Sequence, residues 1–263
     1  TTGNFNTSFG YFSLTTNTTG DGNTAFGHAS LKLSTTANYN TALGFEALEQ
    51  NTTGTQNVAV GPFALDDNTT GGNNIGIGYN SLSANTDASN NIGIGFNSLV
   101  FNTTGETNVA IGSNALRENT TADNNTALGN EALKANTTGH SNVAVGANAL
   151  DANTGNQNTA IGFDTLGANT SGVANFAGGA VALGNNLTGG YNVALGLYAA
   201  YYNTTGASNI AIGQNTFQTN TSGSDNVAIG KQALFANTTA SNNVAIGKEA
   251  LKANTTGTYN TVV

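Results

Sequence analysis

The sequence of 263 residues contains no cysteine, methionine or tryptophan, and only one proline. Without cysteine there is neither a disulfide framework nor a thiolate metal site, and the redox compartment stays undetermined. The missing initiator methionine leads us to expect a processed chain or a segment of a longer one. No apolar run approaches the roughly 20 residues of a membrane span, so we expect neither a signal peptide nor membrane insertion.

Charge is equally scarce. Only 8% of the residues are charged, and six Lys+Arg against fourteen Asp+Glu give a formal net charge of −8. Such a chain lacks the basic patch that a phosphate backbone requires, so we expect no nucleic-acid partner. Glycine is abundant, with 35 residues. Composition alone is that of a disordered low-complexity polymer, but the periodic pattern described next argues against disorder.

One phrase, N-[V/I/T]-[A/G]-[L/I/V/F]-G, returns along the whole chain. Its Asn recurs every 17 residues, except for one step of 16 from Asn142 to Asn158. A fixed short period is the signature of a solenoid, in which each repeat is one coil stacked on its neighbours. We therefore predict an all-β fold, a parallel β-solenoid (β-roll or β-helix) of about fifteen 17-residue coils. We expect a single array over residues 1–263, with both ends cut within a repeat.

Counting the Asn as position 1, positions 2 and 4 are mostly β-branched or aliphatic, as in Val58 and Val60, and position 3 is small. This alternation predicts a strand, with positions 2 and 4 pointing into the coil and position 3 outward. Position 9 is Leu in thirteen of the fifteen full repeats, and we expect it to complete the core. The small residue at position 3 indicates either a lateral interface between copies or close packing against a loop of its own coil.

Position 5 is Gly in every full repeat, which implies a corner with positive φ or a close backbone approach. Positions 12 to 15 commonly read N-T-T-G, which predicts a turn. The segments between these breakers, such as residues 131–135, are too short for a self-supporting helix. We predict a second strand or an extended arc there, with a single helical turn per coil as the alternative. The one-residue deletion at residues 153–155 falls in the turn and should preserve strand register. In the repeat that begins at Asn175, Phe176 and Gly178 replace the usual pair, which predicts a distorted coil.

The phrase N-V-A-I-G-x-x-A followed by T-G resembles the head repeats of trimeric autotransporter adhesins. The longer pattern N-T-A-[L/V/I]-G-x-x-[A/S]-L-x-x-N-T-T-G resembles repeats of some phage tail fibres and related bacterial surface proteins. The resemblance covers the whole chain and is specific for a repeat class rather than for an activity. Adhesin heads are left-handed parallel β-rolls assembled as trimers, so the resemblance implies a similar coil and a homotrimer. Those repeats are usually shorter, and the N-T-T-G arc looks like an insertion.

Two asparagine columns are candidates for a special role. The unbroken Asn at position 1 predicts a hydrogen-bonded ladder inside the coils rather than a row of ligand-binding residues. In twelve repeats the Asn at position 12 begins the N-x-[S/T] acceptor pattern for N-glycosylation, although the same letters suit a turn that carries no sugar. The candidate acceptors are Asn17, Asn51, Asn68, Asn102, Asn119, Asn136, Asn169, Asn186, Asn203, Asn220, Asn237 and Asn254.

Aromatic residues cluster at positions 6 and 7, beside the corner Gly. They indicate either a sugar-binding or partner-binding stripe, or packing in the core or at the corner. These residues are Tyr11, Phe12, Phe45, Phe63, Tyr79, Phe96, Phe163 and Tyr198.

Catalysis finds little support in the sequence. His28 and His140 lie at different phases and have no neighbouring nucleophile or metal ligand, and the glycine-rich turns lack the Lys of a phosphate loop. We therefore expect no enzyme and no catalytic, cofactor-binding or metal-binding residue.

The expected function is that of a non-enzymatic structural fibre protein, which forms an extracellular filament or adhesive fibre by stacking its coils. The alternative is a phage tail-fibre shaft or a trimeric adhesin head that attaches to a host or a surface. Expected partners are copies of the chain itself, stacked end to end or as a homotrimer, and surface glycans or a host receptor. The expected location is extracellular or at the cell surface, or on a virion tail fibre in the alternative.

Overall fold

A computed structural model describes residues 2–263, which form short parallel β-strands joined by turns and contain no helix. The described residues therefore contain no helix that could span a membrane. The chain divides between Glu131 and Ala132 into two compact units. The first unit contains β1 (Thr7–Phe9), β2 (Thr24–Phe26), β3 (Thr41–Leu43), β4 (Val58–Val60), β5 (Ile75–Ile77), β6 (Ile92–Ile94), β7 (Val109–Ile111) and β8 (Thr126–Leu128). The second contains β9 (Val143–Val145), β10 (Thr159–Ile161), β11 (Phe176–Gly178), β12 (Val193–Leu195), β13 (Ile210–Ile212), β14 (Val227–Ile229), β15 (Val244–Ile246) and β16 (Thr261–Val262). The predicted all-β parallel solenoid is confirmed.

Within each unit, every strand pairs in parallel with the strand of the next repeat, residue for residue. Val58 pairs with Ile75, one full repeat further along. Across the deletion Val143 pairs with Thr159, so the shortened turn leaves the register intact, as predicted. The distortion predicted for the coil that begins at Asn175 is not seen in its strand, because Phe176 pairs in register with both neighbouring strands. The parallel ladder is made by backbone groups, and an outward side chain can change without disturbing it.

The predicted orientation of the strands is also wrong. From β2 to β15 the middle residue, position 3, is buried, while positions 2 and 4 are partly or fully exposed. The reason is the size of the coil interior. A Cβ added to Gly76 at position 3 would lie 3.1 Å from Leu65 Cγ, and one added to Gly93 would lie 2.7 Å from Ser81 Oγ. The space under the strand admits a methyl group at most, so Val and Ile face outward and position 3 packs inside the solenoid, largely against side chains of the preceding coil.

The core of each coil is thin. Leu at position 9 is buried as predicted, for example at Leu48 and Leu116, which are both 0% exposed. Ala at positions 3 and 8 and Asn at positions 1 and 12 fill the remaining interior. One buried Leu stabilises a coil by roughly 1.5–3 kcal/mol before entropy, which is too little for a lone coil. Stability must therefore come from stacking and from hydrogen bonds between coils.

The corner glycine has the predicted positive φ. In Gly112, φ is +137°, and a Cβ there would lie 2.4 Å from the carbonyl oxygen of Gly129 in the next coil. Both the dihedral angle and the close stacking therefore exclude a side chain at position 5.

The arc between the corner and the turn is neither a strand nor a helix. Positions 7 and 9 adopt positive φ, as in Glu46 (54°) and Leu48 (52°). The N–H of Glu46 donates to the carbonyl of His28 in the preceding coil, and the N–H of Leu48 donates to the carbonyl of Ala64 in the following coil. The N–H groups at positions 7 and 9 thus donate to the two neighbouring coils, whereas those of a helix would donate within their own segment. The predictions of a second strand and of a helical turn are therefore both wrong.

Candidate functional site

The most unusual surface of the chain is the outward side of its strands. We call the side chains at positions 2 and 4 of β1–β16 the apolar strand face, and none of them is charged. In β4 to β7 all of them are Val or Ile, and each is partly exposed. Leu43, Leu128, Ile161 and Ile246 belong to the same face and are exposed.

The apolar strand face is large enough in each unit to mark a contact surface. Eight strands spaced about 4.8 Å apart, each two or three residues long, present on the order of 400 Å². The largest apolar patch of an ordinary monomer is about 300–600 Å², and patches of that size are often functional. Coil packing does not account for outward Val and Ile, since the interior is filled without them.

A second exposed feature lies in the first unit, where aromatic rings at positions 6 and 7 contact one another through six successive coils. We call this series the aromatic ladder. Its consecutive ring centroids lie 4.0–5.8 Å apart, and the His28 and Phe45 rings stack at an interplanar angle of 10°. All rings but that of Phe63, which is half-buried, are exposed. The members are Tyr11, Phe12, His28, Phe45, Phe63, Tyr79 and Phe96.

The ladder excludes core packing for these aromatics, whereas the binding stripe stays a prediction. Packing in the core is wrong for them, because the rings lie on the surface and contact one another. The two remaining predicted aromatics lie in the second unit, where Phe163 is exposed and Tyr198 packs against Tyr201. Sequence reasoning missed His28, although it occupies position 6 in phase with Phe45 and Tyr79.

Two ladders of buried asparagine run through the interior. At position 1, the backbone N–H of Asn57 donates to Asn40 Oδ1 (2.9 Å), and Asn57 Nδ2 donates to the carbonyl of Gly71 (2.8 Å). At position 12, Asn68 Nδ2 donates to Asn51 Oδ1 (2.8 Å) and to the same Gly71 carbonyl (3.0 Å). The predicted ladder at position 1 is confirmed, and the ladder at position 12 was missed. Together they join each coil to its neighbour and close its turn.

All twelve candidate glycosylation asparagines occupy position 12 of their coils. From Asn17 to Asn237 their side chains are buried, whereas Asn254 is partly exposed. A glycan is bonded to Nδ2, which in these coils donates to the turn carbonyl inside the solenoid. The folded interior leaves no space for a sugar at those eleven positions. Glycosylation itself stays a prediction, and Asn254 is the candidate whose side chain the folded structure leaves accessible.

Ionisable groups are dispersed over the surface. Among residues 2–263 no group of three or more His, Asp or Glu could hold a metal ion, and no pocket is found. Lys32 Nζ lies 2.8 Å from Glu49 Oε1, and its hydrogen bond to Glu49 raises the pKa of Lys32. Burial, followed by the nearby charge of Asp67, raises the pKa of Asp66 to about 7. Asp66 Oδ1 is buried without a hydrogen-bond partner, which fits a carboxyl group that is destabilised when ionised.

No protein-family model matches the chain, and no curated protein matches its sequence. The apolar strand face and the aromatic ladder are the two candidate functional surfaces of the molecule.

Proposed function

We propose that the chain is a non-enzymatic structural protein, which forms an extracellular filament or adhesive fibre with further copies of itself. One observation carries the proposal: the outward strand residues are uncharged and mostly apolar in both units. A flat apolar surface of this kind is stabilised when another protein surface covers it. Each unit offers about half of the ~800 Å² that a standard interface takes from each partner.

A second copy is the occupant that the surface fits best. The face repeats with the period of the coil, and a partner with the same period can match it along its whole length. The resemblance to adhesin heads and tail-fibre repeats supports the same choice and adds the homotrimer as a specific assembly. The apolar strand face predicts lateral association, and it is separate from the end-to-end stacking that the repeat also suggests.

Lysine substitutions on this face test the proposal. We expect the double variant Ile77→Lys, Ile94→Lys to remain monomeric at concentrations where the unmodified chain associates, because burying a lysine without a partner is costly. The control Thr70→Lys, Thr104→Lys places the same charge on exposed turn positions and should associate normally. Sedimentation velocity measures the assembly, and circular dichroism checks the fold. A chain that stays monomeric throughout, or face variants that associate as well as the control, would refute the proposal.

The alternative function, attachment to a host or a surface, is supported by the aromatic ladder. Exposed Tyr and Phe rings provide large contact areas at a low entropic cost, and they are enriched at binding surfaces. Surface glycans or a receptor would then contact the first unit. A glycan array probed with the chain and with the variant Phe45→Ala, Phe96→Ala tests this function. Attachment through the ladder predicts binding that the variant loses, and equal binding by both would reject it.

A further inference from the structure

Tyrosine is the side chain of this protein that most easily loses one electron. The chain has eight tyrosines and no cysteine, methionine or tryptophan. Thiols and thioethers are normally the first groups to be oxidised in a protein. In their absence an oxidant acts on phenol rings, and the arrangement of those rings determines the product.

Three of the eight tyrosines form a cluster in the second unit. The ring centroids of Tyr198 and Tyr201 are 5.3 Å apart, and those of Tyr201 and Tyr202 are 4.7 Å apart. The Tyr201 ring lies over Gly184 of the preceding coil, where an added Cβ would come within 2.8 Å of a ring carbon. Gly184 therefore provides the space that brings the three rings together. Tyr202 is 48% exposed and Tyr198 is 38% exposed, so two phenols of the cluster are open to solvent.

The remaining tyrosines have no phenol neighbour. Tyr11 and Tyr79 contact only Phe or His rings in the aromatic ladder. Tyr39, Tyr191 and Tyr259 make no ring contact within the described chain, although they are 66%, 66% and 79% exposed. The chain thus separates two properties: the most exposed tyrosines are isolated, and the clustered ones are less exposed.

We propose that the cluster Tyr198–Tyr201–Tyr202 is an oxidative cross-linking site, at which a peroxidase and hydrogen peroxide join two copies of the chain through dityrosine. One phenol on each copy gives up one electron and one proton. The two phenoxyl radicals form a carbon–carbon bond between ring carbons ortho to oxygen, and the hydrogens on those carbons return to the oxygens by tautomerisation. The two electrons and two protons released convert hydrogen peroxide to two molecules of water.

The ring contacts explain why this cluster is the preferred site. Three phenols in contact exchange the unpaired electron, so oxidation of any of them places a radical at the exposed ring of Tyr202. An isolated phenol offers one ring and no such exchange. If copies of the chain associate as proposed above, this reaction makes their association covalent. The cross-linking site rests on the proposed function in one respect, because association brings a second copy close to the cluster.

Two triple variants separate clustering from exposure. The cluster variant is Tyr198→Phe, Tyr201→Phe, Tyr202→Phe, which keeps the rings and removes the phenol oxygens. The control variant is Tyr39→Phe, Tyr191→Phe, Tyr259→Phe, which removes the same number of more exposed phenols. Each is treated with peroxidase and hydrogen peroxide, and dityrosine fluorescence and covalent dimers on denaturing gels are measured.

We expect the cluster variant to lose most of the covalent dimer and the control variant to keep it. Peptide mapping of the unmodified chain should find the link within residues 198–202. The Gly184→Ala variant, which displaces the Tyr201 ring without removing a phenol, should also lower the yield. Equal loss in the two triple variants, links at other tyrosines, links confined within one chain, or an unchanged yield in Gly184→Ala would overturn the proposal.

The reaction is run both where the unoxidised chain sediments as a monomer and where it is assembled. A chain that never assembles without oxidant refutes the proposed function, but encounters between monomers still test the cross-linking site. The two failures are therefore distinguishable.

Discussion

Replacing Asn68 by alanine tests whether the asparagine ladder at position 12 holds the coils together. Asn68 is 0% exposed and lies in the middle of the first unit. Its Nδ2 donates to Asn51 Oδ1 and to the Gly71 carbonyl, and its Oδ1 accepts from Asn85 Nδ2 (2.8 Å). The substitution removes all three hydrogen bonds at once.

The loss in the free energy of unfolding depends on which polar groups keep a hydrogen-bond partner after the substitution. The Gly71 carbonyl retains its bond from Asn57, and Asn85 Nδ2 retains its own turn carbonyl. Asn51 Oδ1 loses its donor and stays buried. Three lost bonds at about 0.5–1.5 kcal/mol each, one of them leaving a buried acceptor unpaired, reduce the free energy of unfolding by about 3–5 kcal/mol.

The control is a second asparagine at position 12, which makes fewer hydrogen bonds than Asn68. Asn254 is partly exposed and donates to Asn237 Oδ1 (3.2 Å) and to the Gly257 carbonyl (2.9 Å). Asn254→Ala should therefore cost about 1 kcal/mol or less. Urea unfolding followed by circular dichroism gives both values, and amide hydrogen exchange locates the weakened coil. If Asn68→Ala costs no more than Asn254→Ala, the ladder does not stabilise the stack as described.

Four further substitutions test the backbone and the partly buried carboxyl group of Asp66. Gly247→Ala, where φ is +129° and an added Cβ meets no atom within 4 Å, should cost only the backbone strain of about 1–3 kcal/mol. Gly112→Ala adds a clash with the next coil and should lower the Tm further, and equal losses would contradict the stacking argument. Val181→Asn should raise the Tm, because a β-branched residue is strained at a φ of 53°. Asn tolerates this conformation and occupies the same position of its coil as Asn148. A lower Tm would contradict this reasoning. Asp66→Asn should stabilise the chain by about 1–2 kcal/mol at about pH 8, after allowance for solvent screening, and have little effect at about pH 4. The folded-state pKa of Asp66, about 7, lies above the unfolded value, so stability falls as pH rises between the two. Urea midpoints at both pH values measure the effect, and an equal gain at both would refute the assignment.

Much of the fold could be predicted because every coil repeats the same environment. Leu at position 9 and Gly at position 5 recur since each coil needs one large buried side chain and one corner without a Cβ. The ladder of Asn at position 1 was predictable for the same reason, because an amide that recurs at one phase can bond to its equivalent in the next coil.

The orientation of the strands could not be read from the alternation. A strand with apolar, small and apolar residues can point either its apolar or its small side chains into the coil, and the width of the interior determines which orientation forms. That width is fixed by contacts such as Leu65 beneath Gly76, which the sequence does not reveal. A small residue at every position 3 is consistent both with a tight interior and with an outward face that another backbone approaches closely.

The conformation of the arc and the burial of the turn asparagine could not be predicted, because the same residues fit more than one structure. Asn at position 12 fits both a glycosylation pattern and a buried hydrogen-bonded ladder, and the letters N-T-T-G do not distinguish the two roles. Positive φ at position 7 had a weak signal in Asn80 and Asn97, since Asn tolerates this conformation. Leu at position 9 gave none, because Leu rarely adopts positive φ. The sequence left the aromatics open between an exposed stripe and packing in the core or at the corner, because aromatic rings more often pack inside.

Position 3 faces inward and positions 2 and 4 face outward, and we propose that positions 2 and 4 form an apolar surface that binds further copies. Because the chain has no cysteine, single-cysteine variants measure this directly through their reaction rates with a thiol reagent. In the monomer, the Ile111→Cys variant should react rapidly, and the Ala110→Cys variant should react only after unfolding. On assembly, the rate of the Ile111→Cys variant should fall as well. Equal rates for the two variants in the folded monomer, or an Ile111→Cys rate that assembly leaves unchanged, would contradict the account.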